Sequence, residues 1–397
     1  MGAKVGDATP ITERADIVEL LDRVPLTAME KDCEKQVCCV TGATSYVGAH
    51  IVRRLLRGGH TVHAPVRSPD NEKRVGYLKA MPGAAERLTL FKADLMVDGS
   101  YDESMAGCAS VVHVASPFVL VVDKKKIKAT LIDPAVKGTE NVLASCSRTP
   151  TVKRVVVTGT TLSACADFTP SKKDKDYTVG PDDWTEGTSE KVLPYTYSKV
   201  LADRRAEEIC AAQSQWTMST LLIAGVFGPP CSGKGDGMSC MIMKQVRLGL
   251  FFPGCPPMGF PMEDARDVAL YHCLAMVAPG SEGRYLPPQR YVTFMEFCTA
   301  LKKDKRTRKL MLPLFLFPGL FKPVFSACMP MLGMDGGLVN KSWGCTAKYD
   351  ASKITKDLEL DKQGHVPLSV ATMVTDMDLS FQKFKIGGLS ASLARYK

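Results

Sequence analysis

The chain has 397 residues, of which 45% are hydrophobic and 23% charged, and its net charge is +9. This ordinary globular composition excludes a disordered, collagen-like or fibrous protein, and a chain of this length can bury a core without disulfide or metal staples. The positive charge is small for the length, and no element gathers basic and aromatic residues together. We therefore predict no nucleic-acid partner.

The 14 cysteines are scattered along the chain. None forms a C-x-x-C pair, and no histidine is spaced to complete a zinc site. We predict reduced, buried thiols in a cytoplasmic protein, and no metal.

The most apolar stretch runs from Leu310 to Leu332, but four prolines and Lys322 interrupt it. No uninterrupted run reaches the length of about 18 apolar residues that a membrane-spanning helix needs, so we predict none. Two interpretations stay open for the stretch. Its segments either line a pocket or make peripheral contact with a membrane surface.

Residues 1–35 are polar, and we interpret them as an N-terminal extension. Ile17, Leu20 and Leu21 have helical spacing, which favours a short docked helix there. Apolar strand-length runs then alternate with amphipathic helical segments; the runs are QVCCV, HTVHAPVR, RLTLFKADL, CASVVHVASP, KRVVVTG and TMSTLLIAGVFGP. Such alternation indicates an α/β fold with a doubly wound parallel sheet that is covered on both faces.

From Pro229 onward the alternation loosens, and proline and glycine become frequent. We predict a Rossmann domain over residues 36–228, to which residues 262–288 return. Residues 229–261 and 289–397 are predicted to form a smaller, less regular substrate lobe. We expect a monomer or a homodimer.

The first predicted strand ends in TGATSYVG, directly before an amphipathic helix. Gly42 permits a tight turn, Gly48 lets the helix pack closely on the strand, and the free amides at the helix start face a pyrophosphate. The context of strand, glycine pair and helix predicts a nucleotide site. Its candidate contacts are Gly42, Thr44, Ser45, Tyr46, Val47 and Gly48.

Arg67 ends the second predicted strand, at the position where an acid would bind the ribose 2′-hydroxyl of NAD. A guanidinium suits a 2′-phosphate instead, and Lys73 and Arg74 follow closely. We therefore predict NADP(H) as the cofactor. Asp94 and Leu95, at the end of the third strand, either reach the adenine or cap the strand.

Tyr195 and Lys199 are four residues apart in a helical segment, so they share one face. A phenol has a pKa near 10, and a neighbouring ammonium lowers that value. We predict that Lys199 lowers the pKa of Tyr195 and also holds the nicotinamide ribose. A hydroxyl cluster, TGTTLS, ends the fifth predicted strand before this helix.

Several stretches together resemble the extended short-chain dehydrogenase/reductases, most of all dihydroflavonol reductase and cinnamoyl-CoA reductase. They include VTGATSYVGAHIVRRLL, HTVHAPVRSPDNEK, GSYDESMAGCASVVHVASP, TVKRVVVTG, YTYSKVLAD and MEDARDVAL. The resemblance implies that Tyr195 and Lys199 are the catalytic pair and that Thr160 stands in place of the family's catalytic serine. It also implies that Arg67 binds the 2′-phosphate with support from Lys73 or Arg74. The residues implied to run beside the cofactor are Val114, Ala115 and Ser116.

Three departures from that family stand out. Ser45 replaces a glycine of the phosphate loop, and its hydroxyl either hinders the approach of phosphate or donates a hydrogen bond to it. Ala224 replaces a proline near the nicotinamide. The residues EKVLP before Tyr195 lack the signature of cinnamoyl-CoA reductases, which leaves the substrate open.

We predict an NADPH-dependent oxidoreductase that reduces a ketone, aldehyde or thioester, with Tyr195 as the proton donor. One alternative is a nucleotide-sugar epimerase/dehydratase or a hydroxysteroid dehydrogenase of the same fold. Another is an NADP-binding sensor or scaffold without catalysis, for which Ser45 and Thr160 are the motive. Substrate specificity is expected from Ser163–Pro194, Gly225–Pro261 and the C-terminal lobe.

Overall fold

A computed structural model describes residues 15–117, 126–166, 174, 176–235, 237–307, 310–328 and 342–386. Its strands in chain order are β1 (Val37–Thr41), β2 (Thr61–Val66), β3 (Leu88–Lys92), β4 (Ser110–His113), β5 (Arg154–Thr160), β6 (Thr178–Val179), β7 (Thr217–Ile223), β8 (Gly225–Phe227), β9 (Gly254–Cys255), β10 (Gly259–Asp264), β11 (Gly283–Tyr285), β12 (Arg290–Thr293), β13 (Phe315–Leu316) and β14 (Lys348–Tyr349).

The α-helices are α1 (Ala15–Leu21), α2 (Ala28–Asp32), α3 (Tyr46–Arg57), α4 (Glu72–Lys79), α5 (Ala84–Arg87), α6 (Asp102–Met105), α7 (Asp133–Arg148), α8 (Thr161–Ala164), α9 (Pro194–Ala211), α10 (Met238–Arg247), α11 (Ala265–Val277), α12 (Phe294–Lys303), α13 (Lys322–Cys328), α14 (Ser352–Asp357) and α15 (Val370–Lys383). A π-helical turn (Lys128–Ile132) precedes α7, and a 3₁₀ turn (Gly319–Phe321) precedes α13.

Seven parallel strands form the main sheet in the order β11-β7-β5-β4-β1-β2-β3. Cys38, Cys39 and Val40 of β1 are fully buried, as expected for a strand covered on both faces. The chain runs from β1 to β2 on one side and returns to β4 on the other. This reversal opens a crevice at the carboxyl ends of β1 and β4, where α/β folds bind ligands. The predicted doubly wound α/β fold is therefore confirmed.

A smaller region packs beside this sheet. It contains the sheet β12-β10-β8 and the strand pairs β13–β9 and β14–β6. Its own apolar cluster includes Phe227, Met243, Phe251, Phe294 and Phe381. The exact domain limits given above stay a prediction.

The N-terminal segment packs against the main sheet region. The predicted docked helix is present as α1, and Ile17 belongs to the same core cluster as β1. Arg54 of α3 forms a buried ion pair with Glu30 at 2.6 Å, and Arg53 pairs with Asp22 at 2.8 Å. Residues 15–35 are therefore part of the packed structure, while residues 1–14 of the predicted extension lie outside the described residues.

Arg266 is the centre of a buried charge cluster that joins distant parts of the chain. Its guanidinium pairs with Asp264 and with Asp376 of α15, each at 2.7 Å. It also donates to the carbonyl of Leu20 in α1 at 2.6 Å. One buried cation thus connects α1, β10 and α15 to α11.

The apolar stretch Leu310–Leu332 is described as far as Cys328, and residues 329–332 lie outside the described residues. Leu312 is buried, but Met311, Leu314 and Leu320 are exposed. The outward direction of these side chains favours contact with a surface over the lining of a pocket. Across the described ranges, no helix combines the length and the apolar character needed to cross a membrane.

We expect Arg266→Met to lower the free energy of unfolding by about 3–5 kcal/mol, because it leaves the buried Asp264 without its cation and Asp376 with Arg23 alone. Urea unfolding followed by circular dichroism measures this change. Arg290→Met is the matched control, since Arg290 is 70% exposed and pairs with Glu296 at the surface, and it should cost no more than about 1 kcal/mol. Equal effects of the two substitutions would contradict the role of Arg266.

Candidate active site

Two glycines bring the ends of β1, α3 and β4 into close contact. Gly42 has a φ of +68°, and a Cβ there would lie 2.7 Å from the backbone nitrogen of Ala115. A Cβ on Gly48 would lie 2.3 Å from the carbonyl oxygen of Gly42. Neither position accepts a side chain, so the turn leaves a cradle of bare backbone at the start of α3.

Thr41 and His113 join the strand ends beneath this cradle. The Thr41 hydroxyl accepts the N–H groups of Val114 and Ala115 at 3.2 and 3.1 Å and lies 2.8 Å from Nδ1 of His113. Burial, followed by the charge of Lys199, lowers the pKa of His113 to about 3, so the ring is neutral. The predicted residues Val114 and Ala115 are thus held beside the Gly42 turn. Sequence analysis did not identify Thr41 and His113, which are simply the last residues of their strands.

Ser45 is the N-cap of α3, and its Oγ accepts the N–H of Gly48 at 3.0 Å. Thr44 beside it is exposed. The Tyr46 side chain points the other way and donates to the carbonyl of Gly228 at 2.5 Å. The side chains of Tyr46 and Val47 therefore pack against the core. At the helix start they offer the cradle only their backbone amides.

Arg67 lies in a cleft of about 660 Å³ at the ends of β2 and β3. The cleft is lined by Arg67, Ser68, Pro69, Asp70, Asn71, Glu72, Lys73 and Lys92. Lys92 was missed by sequence analysis, although it ends β3 directly beside Val66 of β2. Of the two predicted supports for Arg67, Lys73 lines the cleft and Arg74 does not. Binding of a 2′-phosphate by Arg67 and Lys73 stays a prediction.

Asp94 and Leu95 stabilise the turn after β3. The Asp94 carboxylate accepts the N–H of Met96 at 2.9 Å. A Cβ on Gly138 of α7 would lie 2.5 Å from Cγ of Leu95, so this leucine packs tightly on that helix. These contacts favour the strand-capping alternative, and contact with adenine stays a prediction.

The three predicted catalytic residues lie on two neighbouring elements. Thr160 ends β5, and its Oγ1 accepts the N–H of Leu162 at 3.3 Å, which caps α8. Tyr195 and Lys199 lie one turn apart on α9, with the Lys199 ammonium 5.8 Å from the Tyr195 ring centroid. Lys199 donates to Oγ of Ser116 at 2.6 Å, which links α9 to the end of β4.

The predicted lowering of the Tyr195 pKa is not observed. Burial, with a further contribution from Asp203, raises the pKa of Tyr195 to about 12. Burial also lowers the pKa of Lys199, against the opposing effect of Asp203. Loss of hydration and the negative charge of Asp203 both disfavour a phenolate at Tyr195, and the Lys199 ammonium is directed to Ser116.

Asp203 is a buried carboxylate that sequence analysis missed. It lies one turn after Lys199 on α9 and accepts a hydrogen bond from Ser163 at 2.6 Å. Ser163 lies in α8, which begins directly after Thr160. The contact therefore joins α9 to the end of β5. Burial raises the pKa of Asp203. Its spacing from Lys199 was the available signal, since residues i and i+4 share a helix face.

Ala224 follows β7 and donates its N–H to the buried Glu263 carboxyl at 2.9 Å. The other oxygen of Glu263 has no hydrogen-bond partner among the described residues. Burial raises the pKa of Glu263 to about 8. A proline at position 224, as the resemblance implies for the related reductases, has no N–H to donate, so Ala224 and Glu263 depend on one another.

The sequence profile of the NAD dependent epimerase/dehydratase family matches residues 38–250. A cinnamoyl-CoA reductase of Medicago truncatula is 35% identical over 270 residues, covering 67% of this chain and 80% of that protein. Tetraketide alpha-pyrone reductase 2 of Arabidopsis thaliana is 36% identical over 251 residues, covering 62% and 76%.

Solved structures agree in fold. The yeast methylglyoxal/isovaleraldehyde reductase complexed with NADPH has a TM-score of 0.69 at 21% identity, covering 88% of this chain and 99% of that one. Vestitone reductase from alfalfa has a TM-score of 0.62 at 22% identity, with the same coverage.

The fold and the crevice define an enzyme of the Rossmann class that uses a nicotinamide dinucleotide. The chain belongs to the NAD dependent epimerase/dehydratase family, and it is one of the extended short-chain dehydrogenase/reductases. The predictions of this family and of an NADP-dependent oxidoreductase are thereby confirmed.

Two groups of described residues fit such a cofactor, one at its pyrophosphate and one at its 2′-phosphate. Gly42 and Gly48 have no side chains, so the start of α3 presents bare backbone, which suits the close approach of a pyrophosphate. The cleft of Arg67, Lys73 and Lys92 presents three cations for a 2′-phosphate.

Arg67→Glu should raise the Kd for NADPH about 100-fold, because it replaces a charge-assisted hydrogen bond to phosphate with a repulsion. The Kd for NADH should change little. Fluorescence titration with the two cofactors measures both values. Arg74→Glu is the matched control and should leave both unchanged, since Arg74 does not line the cleft. An equal loss of NADPH affinity in both variants would refute the assignment.

Ala224→Pro alone should cost about 1–3 kcal/mol of stability, because it leaves the buried Glu263 carboxyl without a donor. Glu263→Val alone should cost a similar amount through the orphaned Ala224 N–H. The double variant should recover most of the loss, and urea unfolding of all three variants measures the coupling. Additive losses of stability would show that the hydrogen bond between Ala224 and Glu263 does not contribute to stability.

Proposed function

We propose that this protein is an NADPH-dependent carbonyl reductase, acting on a ketone, aldehyde or thioester. The observation that carries the proposal is the placement of Tyr195 one turn before Lys199 on α9, where Lys199 donates to Ser116 at the end of β4, beside the crevice. The reductase names of its relatives support the same reaction class. The bound cofactor supplies a hydride to the carbonyl carbon.

Tyr195 serves as the proton donor for the oxygen that becomes an alkoxide. Its pKa of about 12 keeps the phenol protonated at neutral pH, yet an alkoxide is still the stronger base. Thr160 donates its hydroxyl hydrogen to the same oxygen, since its Oγ1 already accepts from Leu162. Two donors aimed at the developing negative charge stabilise it most in a site with little water.

Lys199 holds Ser116 and binds the nicotinamide ribose. Its ammonium is buried, so the hydroxyls it touches are held more strongly than they would be in water. Asp203, one turn away, opposes the lowering of the Lys199 pKa by burial and so favours the ammonium. In this arrangement Lys199 positions the cofactor and Ser116, while the proton comes from Tyr195.

Two alternatives are weaker. The fold is shared with UDP-glucose 4-epimerase, whose solved structure has a TM-score of 0.59, and an epimerase would retain its cofactor through purification. The hypothesis of a sensor without catalysis rests on two departures from the family, Ser45 and Thr160. Both keep cap hydrogen bonds that preserve the local structure, so neither departure argues against catalysis. The predictions of a cytoplasmic protein and of a monomer or homodimer stay predictions.

The direct test is oxidation of NADPH, followed by absorbance, across a panel of aldehydes, ketones, flavonoids and acyl-CoA thioesters. Turnover that releases an alcohol or an aldehyde supports the proposal. Cofactor binding without turnover on any carbonyl would favour the sensor.

Tyr195→Phe should reduce turnover at least about 10³-fold, because it removes the proton donor and one oxyanion hydrogen bond together. The folded state and the NADPH Kd should persist, since almost no volume is lost. Tyr197→Phe, on the same helix, is the control and should keep normal turnover. Tyr195→Phe activity within about tenfold of the native rate would exclude Tyr195 as the acid.

Asp203→Asn should move the alkaline limb of the reduction rate to lower pH. Reduction needs the protonated phenol, and Asp203 raises the pKa of Tyr195, so removing its charge lets the proton leave earlier. A profile of kcat against pH measures the shift, with Glu208→Gln as the exposed control on the same helix. A rate loss that is equal at every pH would indicate a purely structural role.

A further inference from the structure

Exposed apolar side chains are concentrated on one side of the smaller region. On the described surface, ten of the fourteen large hydrophobic residues that are exposed lie within residues 248–252 and 311–324. Leu320, Leu314 and Met311 are 75%, 64% and 59% exposed. We name the apolar face by its members Leu250, Phe252, Met311, Leu314, Leu316 and Leu320.

Backbone contacts make the two segments one continuous surface. Leu314 donates its N–H to the carbonyl of Pro253 at 2.8 Å, and Phe317 donates to Cys255 at 2.9 Å. Strand β13 pairs in parallel with β9 between these two contacts. The apolar face is therefore supported by the fold rather than being a set of separate loop tips.

The same segments also supply the core, so the outward side chains are not needed there. Phe251 and Leu312 are buried. The ring of Phe317 packs at a tilt against Phe325, with centroids 5.1 Å apart. Phe325 in turn contacts the buried Trp343, with centroids 5.8 Å apart. Apolar side chains that remain outside a filled core, in a contiguous patch, mark an interaction surface.

Positive charge precedes the second segment of the apolar face along the chain. Lys302 and Lys303 end α12, and Lys305 and Arg306 follow; all four are exposed. Over residues 302–328 the sequence contains seven Lys or Arg and a single acid, Asp304, which pairs with Arg306. A second copy of this chain on the same face would bring two such basic edges together. An anionic surface would neutralise them instead.

We propose that the apolar face docks on the surface of a bilayer that contains anionic phospholipid. The outward leucines and Phe252 enter the interface between headgroups and acyl chains, and the lysines beside them bind the phosphate and carboxylate groups. This inference is independent of the reaction proposed above.

Co-sedimentation of the full chain with vesicles tests the proposal, using phosphatidylcholine with and without phosphatidylserine. The native protein should bind the anionic vesicles, and added salt should weaken the binding. Leu314→Asp with Leu320→Asp should reduce binding at least about tenfold, because charged groups no longer enter the interface. Val366→Asp, at an exposed apolar residue elsewhere, is the control and should bind normally.

Lys302→Ala with Lys303→Ala should weaken binding to the anionic vesicles about 30-fold, at about 1 kcal/mol per lysine. Both double variants should keep the native unfolding midpoint and NADPH affinity, which shows that they fold. Equal vesicle binding by the native protein and the leucine variant would overturn the proposal. Light scattering covers the alternative: a native dimer that the leucine variant converts to a monomer, without vesicle binding, would assign the face to self-association.

Discussion

The close approach of β1 and β4 behind the Gly42 turn is the constraint on which the site depends. With a left-handed φ at Gly42 and no side chain at Gly48, α3 begins directly against the strand end. Thr41 then bonds to both backbone amides that follow β4. The same strand end carries Ser116 to the Lys199 ammonium. The Gly42 turn and α9 are thus connected through the short stretch that follows β4, so a change at the turn should also alter the position of Lys199.

Loss of hydration sets the charge states of the crevice. It is the largest cause of the raised pKa of Tyr195, of Asp203 and of Glu263, and of the lowered pKa of Lys199 and His113. A phenol that keeps its proton suits an acid in reduction better than a base in oxidation. The same low-dielectric environment strengthens the hydrogen bonds that Lys199 and Thr160 make. The charge states of these groups and the strength of their hydrogen bonds therefore have one physical origin.

The smaller region combines a filled core with an unpartnered outer face. Strand β9 is buried while its partner β13 is exposed, so the pairing that covers Cys255 also displays Phe315 and Leu316 on the outside. Arg266 holds α15 and α1 against α11. These contacts keep three helices from distant parts of the chain packed together.

Sequence alone determined the alternation of strands and helices and the position of the glycine turn. It also placed Arg67 at the end of a strand, and Tyr195 and Lys199 on one face of a helix. These features are local, because they depend on the period of apolar residues, on the special backbone freedom of glycine and on spacing within one helix. Lys92, Thr41, His113, Asp203 and Glu263 became visible only in the tertiary structure, since their partners come from other strands and helices. The sequence also misjudged the pKa of Tyr195 and left open how the stretch containing Leu314 is exposed. Both depend on how much water the folded chain excludes, which no local pattern specifies.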